Sequence, residues 1–311
     1  MIHRLSAWDG LTLAAREWHD GDPRLDARRL DDPRQDDQRQ DDPRLDDRHR
    51  GDRHHGDRHR PLLCLPGLVR TSGDFDPVAA ALGSGRRVIA LDYAGRGESG
   101  RARDVDRYAP EACVRDVLDV CAALHVHGAV GIGTSFGGLL CMGIAAARPS
   151  LLHAVVLNDV GPDIGTGGAD FVRQFVALDP ALPDIGSCVA HLRAVLPPLS
   201  LHSEEDWQAM ARLTYAPGAD GRWHPLWDTR IAALLRRATP DLWPLFGALA
   251  GMPLLLVRGE ASNILLPATV ARMVAARPDM AVVSLPGIGH APTLVEPAVV
   301  AALRGFLDQV G

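Results

Sequence analysis

The feature that most constrains this chain is the pentapeptide GTSFG at 133–137, which directly follows the apolar run 129–132. A G-x-S-x-G pattern between a strand and a helix predicts a sharp, strained turn that holds the Ser135 hydroxyl clear of the backbone. Glycine is needed at 133 and 137 because such a turn brings the strand and helix backbones together, and Gly138 extends that clearance. The pattern alone is also compatible with a glycine-rich turn that carries an inert serine. The flanking strand and helix patterns therefore decide between a catalytic and an inert Ser135.

Composition and charge exclude several classes of protein. The chain has 311 residues, of which 46% are hydrophobic and 23% charged, so it can bury a full core. A formal net charge of −6 gives no electrostatic reason to expect nucleic acid or an anionic membrane as a partner. We find no apolar signal segment at the N-terminus and no apolar run approaching about 18 residues, which predicts a cytoplasmic protein. The five cysteines form no C-x-x-C pair, which favours buried thiols over a disulfide framework or a zinc site.

Residues 20–60 differ in composition from the rest of the chain. They form degenerate pentapeptides rich in Asp and Arg, with very few apolar side chains. Because so little apolar surface cannot offset the entropy lost on ordering, we predict a disordered insert in a surface connection. Two alternatives are an interaction tether and weak, non-specific binding of divalent ions by its histidines. Those histidines are His49, His54, His55 and His59.

The remaining sequence alternates between strand and helix patterns. Unbroken apolar runs at 61–65, 88–91 and 253–257 are typical of strands in a parallel sheet that is covered on both faces. These runs predict an α/β fold with a mostly parallel central sheet and helices on both of its faces.

The stretch 161–250 interrupts this alternation. It is rich in proline, is predicted to be helical and holds four of the six tryptophans of the chain. Its position between two predicted strands favours a lid over an apolar pocket, although ordinary helix packing would also explain it. We therefore predict a core formed by residues 1–160 and 251–311, with a helical cap inserted at 161–250.

Four sequence blocks, in this order, resemble those of the α/β-hydrolase superfamily. They are LPGL at 65–68, DYAGRGES at 92–99, the pentapeptide around Ser135, and GIGHAP at 287–292. The resemblance extends over nearly all of the chain outside 20–60. It implies the fold already predicted from the apolar runs, and it implies no metal and no organic cofactor.

The resemblance also implies the residues of a catalytic site. Ser135 would be the nucleophile, and His290, in a glycine-flanked loop after the last strand, would be the base that a serine hydroxyl needs. The backbone N–H groups of Leu68 and Phe136 would form the oxyanion hole. Arg70 would line the mouth of the site, and the block 92–99 would support it structurally.

The acid of the triad is where the chain departs from the superfamily. The usual acid follows the strand near 253–258, but here that slot holds Asn263. A neutral amide can orient an imidazole, but the equivalent Asp→Asn change in serine proteases costs about 10⁴ in kcat. Asp159 is the leading substitute, because some members of the superfamily take their acid from the end of the preceding strand. Asp159 could instead brace the hinge of the cap, and Glu260 is a third candidate.

Two functions stay open from the sequence. The first is hydrolysis of a carboxylic ester, an apolar small molecule, through an acyl-enzyme on Ser135. The second is a ligand-binding protein with an impaired triad, which Asn263 in the acid slot would explain. The sequence identifies neither the natural substrate nor the oligomeric state, because this architecture supports many unrelated reactions.

Overall fold

The computed structural model describes residues 1–19, 59–238 and 240–311. The predicted insert at 20–60 lies outside the described residues except for His59 and Arg60 at its end. The predictions of disorder, of a tether and of an ion-binding group of histidines therefore concern residues outside the described part of the chain.

Ten strands within the described residues form two sheets. They are β1 (Ile2–Ser6), β2 (Thr12–Trp18), β3 (Leu62–Leu65), β4 (Val88–Asp92), β5 (Ala129–Thr134), β6 (Leu152–Asn158), β7 (Tyr215–Pro217), β8 (Trp223–Pro225), β9 (Leu254–Gly259) and β10 (Ala281–Leu285). The main sheet has eight strands in the order β1-β2-β4-β3-β5-β6-β9-β10. Its strands are parallel from β4 to β10, whereas β2 pairs antiparallel with both β1 and β4. The predicted mostly parallel sheet is confirmed.

Helices cover both faces of this sheet. The α-helices of the described part of the chain, including those of the stretch 161–250, are α1 (Asp76–Leu82), α2 (Pro110–Ala123), α3 (Phe136–Ala147), α4 (Thr166–Ala177), α5 (Ile185–Val195), α6 (Glu204–Arg212), α7 (Trp243–Gly247), α8 (Pro267–Ala276) and α9 (Pro297–Val310). Side chains of α2, α3 and α8 pack on one face, and those of α1 and α9 pack on the other. Helices α2, α8 and α9 each begin at a proline, which suits the first helical position because no N–H is required there.

Three short strands differ from the predictions. Strand β1 was not expected because it is an edge strand whose side chains are all exposed or half-buried, so its apolar signal is weak. The stretch 161–250 was expected to be helical, but β7 and β8 form a small antiparallel sheet within it. A tight turn joins them, with Gly221 at a φ of +77°, and three residues per strand are too few to show a period-two pattern.

The stretch 161–250 packs against the core through the block 92–99. The amide of Gly97 donates to the carbonyl of Leu226 at 2.7 Å, and the amide of Asp228 donates to the carbonyl of Gly95 at 2.8 Å. Trp227 between them is 2% exposed and donates its indole N–H to the carbonyl of Val176. Ordinary packing therefore explains this tryptophan, and the function of the stretch as a lid stays a prediction.

The parallel strands bring their carboxyl ends to one edge of the sheet. At that edge β3 leads into the loop 66–70, β5 into Ser135, β6 into Asp159 and β9 into the loop 260–266. The strand order thus brings together sequence blocks that are far apart in the chain. Ligand sites of α/β proteins lie at this edge of the sheet.

Candidate active site

The turn at Ser135 is as tight as the pentapeptide predicts. Ser135 has φ of 52° and ψ of −117°, a conformation that costs free energy for any residue except glycine. A Cβ atom on Gly137 would lie 1.9 Å from the carbonyl oxygen of Leu65, and one on Gly133 would lie 2.5 Å from the backbone of Gly137. Both glycines are therefore sterically required where strand and helix meet.

The hydroxyl of Ser135 contacts His290. The two residues are 155 positions apart in the chain, and Nε2 of His290 lies 2.8 Å from Oγ of Ser135. The side chain of His290 is 15% exposed, so the imidazole can be reached from solvent but is mostly shielded from it. This distance permits direct proton transfer from the hydroxyl to the imidazole.

The other nitrogen of the imidazole contacts Asp159. Nδ1 of His290 lies 2.8 Å from Oδ2 of Asp159, whose side chain is fully buried. The second carboxylate oxygen accepts a hydrogen bond from the amide of Gly259 at 3.0 Å. Since Oδ2 can only accept, the contact favours the tautomer in which Nδ1 carries the proton and Nε2 is free to accept one from Ser135.

The other two acid candidates form no hydrogen bond with His290. Asn263 and Glu260 are exposed, and neither side chain forms a hydrogen bond within the described part of the chain. The backbone of Asn263 instead packs against the start of α4, since a Cβ on Gly165 would lie 2.3 Å from its carbonyl oxygen. The amide in the usual acid slot therefore does not leave His290 without a carboxylate.

A buried asparagine that the sequence analysis did not single out links the two halves of the site. Nδ2 of Asn158, at the end of β6, donates to Oγ1 of Thr134 at 3.1 Å and to the carbonyl of Pro292 at 2.9 Å. The backbone carbonyl of Asn158 accepts from the amide of Ser135 at 2.9 Å. The signal in the sequence was a polar residue at the end of an apolar strand, next to a candidate acid.

The N–H groups predicted to form an oxyanion hole have no acceptor within residues 1–19, 59–238 and 240–311. These are the amides of Leu68 and Phe136. The carbonyls of the loop are held in other directions: that of Pro66 accepts from the Tyr93 hydroxyl at 3.0 Å, and that of Leu68 accepts from Nε of Arg96 at 2.9 Å. Within the described residues the loop thus leaves the Leu68 amide unpaired while the carbonyls of Pro66 and Leu68 are satisfied, an arrangement compatible with an anion site.

The guanidinium of Arg70 is held by two residues, and its position at the mouth of the site stays a prediction. Its guanidinium forms a two-point ion pair with Asp74, at 2.8 and 2.6 Å, and donates to Oγ1 of Thr214 at 2.5 Å. Arg70 therefore connects the loop 66–70 to the stretch 161–250.

The block 92–99 holds the loop that precedes α1. The carboxylate of Asp92 accepts from the amides of Ser72 at 2.6 Å and Glu98 at 2.9 Å. Burial raises the pKa of Asp92, and these hydrogen bonds partly oppose that rise. The contacts agree with the predicted structural function of the block.

The described residues contain no group of three or more His, Cys, Asp or Glu side chains arranged to hold a metal ion. All five cysteines are buried as free thiols. Within the same ranges of the chain, no helix combines the length and the apolar character needed to span a bilayer.

Comparison with known proteins adds four similarities. The model of the Alpha/beta hydrolase family matches residues 62–303. A 3-hydroxybutyrate-oligomer hydrolase of Cupriavidus necator is 36% identical over 258 residues, which cover 79% of this chain and 88% of that protein. A 2-(acetamidomethylene)succinate hydrolase of Mesorhizobium japonicum is 28% identical over 250 residues, or 79% and 87% of the two chains. The crystal structure of an alpha/beta hydrolase from Novosphingobium aromaticivorans has a TM-score of 0.82 and 34% identity, covering 100% of this chain and 98% of that one.

Proposed function

Because this chain belongs to the alpha/beta hydrolase family, we propose that it is a serine hydrolase that cleaves a carboxylic ester through an acyl-enzyme. The observation that carries this proposal is the position of one imidazole. His290 lies 2.8 Å from the hydroxyl of Ser135 on one side and 2.8 Å from the carboxylate of Asp159 on the other. A serine with both a base and an acid in line is the arrangement that acyl transfer needs.

In the first half of the reaction Ser135 attacks the ester carbonyl. Nε2 of His290 takes the hydroxyl proton as the bond from Oγ to the carbonyl carbon forms, and the carbonyl oxygen becomes an oxyanion. The amides of Leu68 and Phe136 stabilise this oxyanion. When the intermediate collapses, His290 returns the proton to the departing alcohol, and the acyl group stays on Ser135.

In the second half a water molecule takes the place of the alcohol. His290 accepts a proton from the water, which attacks the acyl carbon and forms a second oxyanion at the same amides. Collapse releases the carboxylic acid, and Ser135 recovers its proton. Throughout, Asp159 stabilises the imidazolium that forms on His290 and holds Nδ1 in its protonated form.

The substrate class that we propose is a small-molecule ester. Oligomeric esters of short hydroxy acids are the first candidates to test, because the similar protein of Cupriavidus necator is named for such a substrate. Each of these substrates carries the ester carbonyl and the alcohol leaving group that the two half-reactions require.

The proposal is tested with a fluorophosphonate probe and with two esters, p-nitrophenyl butyrate and a dimer of 3-hydroxybutyrate. We expect covalent labelling of the purified protein and turnover of at least one ester, with both lost in Ser135→Ala. Ser284→Ala is the matched control, since Ser284 is exposed on the edge strand β10 and should keep full labelling and turnover. A wild-type protein that neither reacts with the probe nor cleaves either ester would contradict the proposal and favour a ligand-binding function.

A further inference from the structure

Arg96 is a buried cation without a carboxylate partner in the described part of the chain. It is 1% exposed, and no acidic oxygen among those residues lies within 4.0 Å of its guanidinium. By contrast, the buried Arg107 is paired with both Asp116 and Asp9. A buried unpaired charge is expensive, so the contacts that hold it in place need an explanation.

Those contacts include two carbonyls and three aromatic rings. Nε of Arg96 donates to the carbonyl of Leu68 at 2.9 Å, and Nη1 donates to that of Ala94 at 2.6 Å. The guanidinium carbon lies 5.7, 5.6 and 6.0 Å from the ring centroids of Tyr93, Tyr108 and Phe136, respectively. Aromatic faces attract a cation, most strongly where water is absent. We call Arg96 and these three aromatic residues the Arg96 cluster.

The Arg96 cluster contacts both residues that would supply the oxyanion hole. Leu68 is bound through its carbonyl, which fixes the direction of the backbone next to its free amide. Phe136, whose amide is the second proposed donor, lies with its ring near the guanidinium and packs edge-on against Tyr93 at 5.6 Å. The Tyr93 hydroxyl in turn binds the carbonyl of Pro66 at 3.0 Å, so the cluster holds the loop at two carbonyls.

The cluster also places a positive charge close to this site. Burial lowers the pKa of Arg96. An arginine nevertheless stays protonated near neutral pH, because its ordinary pKa is above about 12. In a weakly polar interior the interaction between opposite charges is much stronger than in water.

We propose that Arg96 is a positioning residue of the oxyanion hole: it fixes the backbone at Leu68 and adds a positive charge that favours the developing oxyanion. This inference rests on the proposed serine hydrolase function. The block 92–99 as a whole provides structural support. The inference adds that one of its side chains, Arg96, affects the rate of ester hydrolysis.

The test compares Arg96→Met, Arg96→Lys and the control Arg86→Met in the full-length protein. Methionine fills much of the same volume without donors or charge, and lysine keeps the charge but cannot reproduce the two directed hydrogen bonds. Arg86 is also a buried arginine, 7% exposed with Nε and Nη1 unpaired within the described residues, but it precedes β4 at the opposite edge of the sheet. The substitution Arg86→Met therefore also removes a buried cation, but far from Ser135.

The readouts are kcat and KM on p-nitrophenyl butyrate and a crystal structure of each variant. Loss of one oxyanion donor costs roughly 10² to 10³ in kcat, so displacing one should cost about 10- to 100-fold. We expect a loss of that size for Arg96→Met, a smaller one for Arg96→Lys, little change in KM, and a displaced Leu68 amide in the Met variant. Arg86→Met should change neither kcat nor the loop 66–70.

The inference is overturned if Arg96→Met keeps wild-type kcat, if its loss is entirely in KM, or if Arg86→Met loses as much. Failure of the proposed function is a different outcome, in which the wild-type protein cleaves no ester. In that case the crystal structures still test whether Arg96 positions the backbone at Leu68. A loop 66–70 that moves in Arg96→Met supports this role of Arg96, and a loop 66–70 that stays in place refutes it.

Discussion

At the scale of single residues, the two carboxylate oxygens of Asp159 have different partners, one on the sheet and the other on the imidazole of His290. Oδ1 accepts from the amide of Gly259 on the neighbouring strand, and Oδ2 faces Nδ1 of His290. The backbone of Asp159 has φ of 56°, in the left-handed region that residues other than glycine rarely adopt. A residue held in such a conformation by its neighbours has a fixed side-chain direction, which suits an acid that must orient a base.

We predict that Asp159→Asn lowers kcat by about 10³- to 10⁴-fold with little change in KM, as removal of the charge does in serine proteases. The amide would offer Nδ1 an acceptor but no negative charge for the imidazolium. The measurement is steady-state kinetics on p-nitrophenyl butyrate.

Asn263→Asp is the matched variant for this prediction. Because Asn263 is exposed and forms no side-chain hydrogen bond within the described residues, a carboxylate there should leave kcat within about 3-fold of wild type. If Asn263→Asp instead raised kcat by orders of magnitude, the natural triad would be incomplete. If Asp159→Asn kept full activity, Asp159 would serve only to brace the backbone.

At the scale of elements, the contact between β5 and α3 depends on backbone packing with no room for side chains. The helix begins directly after Ser135, and Gly137 in its first turn faces the carbonyl of Leu65 at the end of β3. Helix α9 offers a contrast, because its Gly305 is exposed and a Cβ there would meet no heavy atom within 4 Å.

We predict opposite effects for the same substitution in these two helices. Gly137→Ala should displace α3 or β3, destabilise the protein by more than about 2 kcal/mol and abolish ester hydrolysis, since the new methyl group overlaps a backbone oxygen. Gly305→Ala should stabilise it by about 0.5–1 kcal/mol, because alanine loses less backbone entropy in a helix. Urea unfolding of both variants measures the two effects, and an unperturbed, active Gly137→Ala would show that the turn is looser than described.

At the scale of the whole molecule, Asp228 connects the stretch 161–250 to the core. The Tyr108 hydroxyl donates to its carboxylate at 2.8 Å, and Arg230 forms an ion pair with it at 2.6 Å while also donating to the carbonyls of Ala102 and Arg103. Burial alone would raise the pKa of Asp228, but the hydrogen bonds from Arg230 and Tyr108 outweigh it and lower the pKa below its ordinary value. The ionised form is therefore the one that stabilises the fold.

We predict that this contribution is lost in acid. A group whose pKa is lower in the folded state stabilises it fully above the unfolded pKa, about 3.9 for Asp, and progressively less as the pH falls through the folded value. Asp228→Asn should cost about 1–3 kcal/mol at pH 7, the cost of removing a charged hydrogen-bond partner. The difference from wild type should shrink below about pH 4.

Urea unfolding of wild type and Asp228→Asn at pH 7, 5 and 3 measures this difference. Asp308→Asn, at an exposed position of α9, is the control and should differ little from wild type at any of these pH values. A difference for Asp228→Asn that stayed constant from pH 7 to pH 3 would show that its carboxylate contributes nothing through its charge.

Much of this organisation could be predicted from local sequence. The unbroken apolar strands predicted a sheet covered on both faces, and the prolines at 267 and 297 mark the first residues of α8 and α9. The elements that escaped prediction are short or half-exposed, as β1 and the β7–β8 pair are. Such elements bury few apolar side chains. The hydrophobic pattern of their sequence therefore indicates their secondary structure only weakly.

The sequence by itself determined what depends on a residue and its near neighbours: glycines where the backbones touch at Ser135, apolar strands, and helices that begin at proline. It also left three candidates for the partner of His290, because Asp159, Glu260 and Asn263 all follow strands that end at the same edge. Only the tertiary structure separated them. Strand β6 lies between β5 and β9, so Asp159 follows the strand adjacent to that of Ser135, whereas Asn263 follows a strand one place further away. Strand order is set by packing between distant parts of the chain, and no local pattern encodes it.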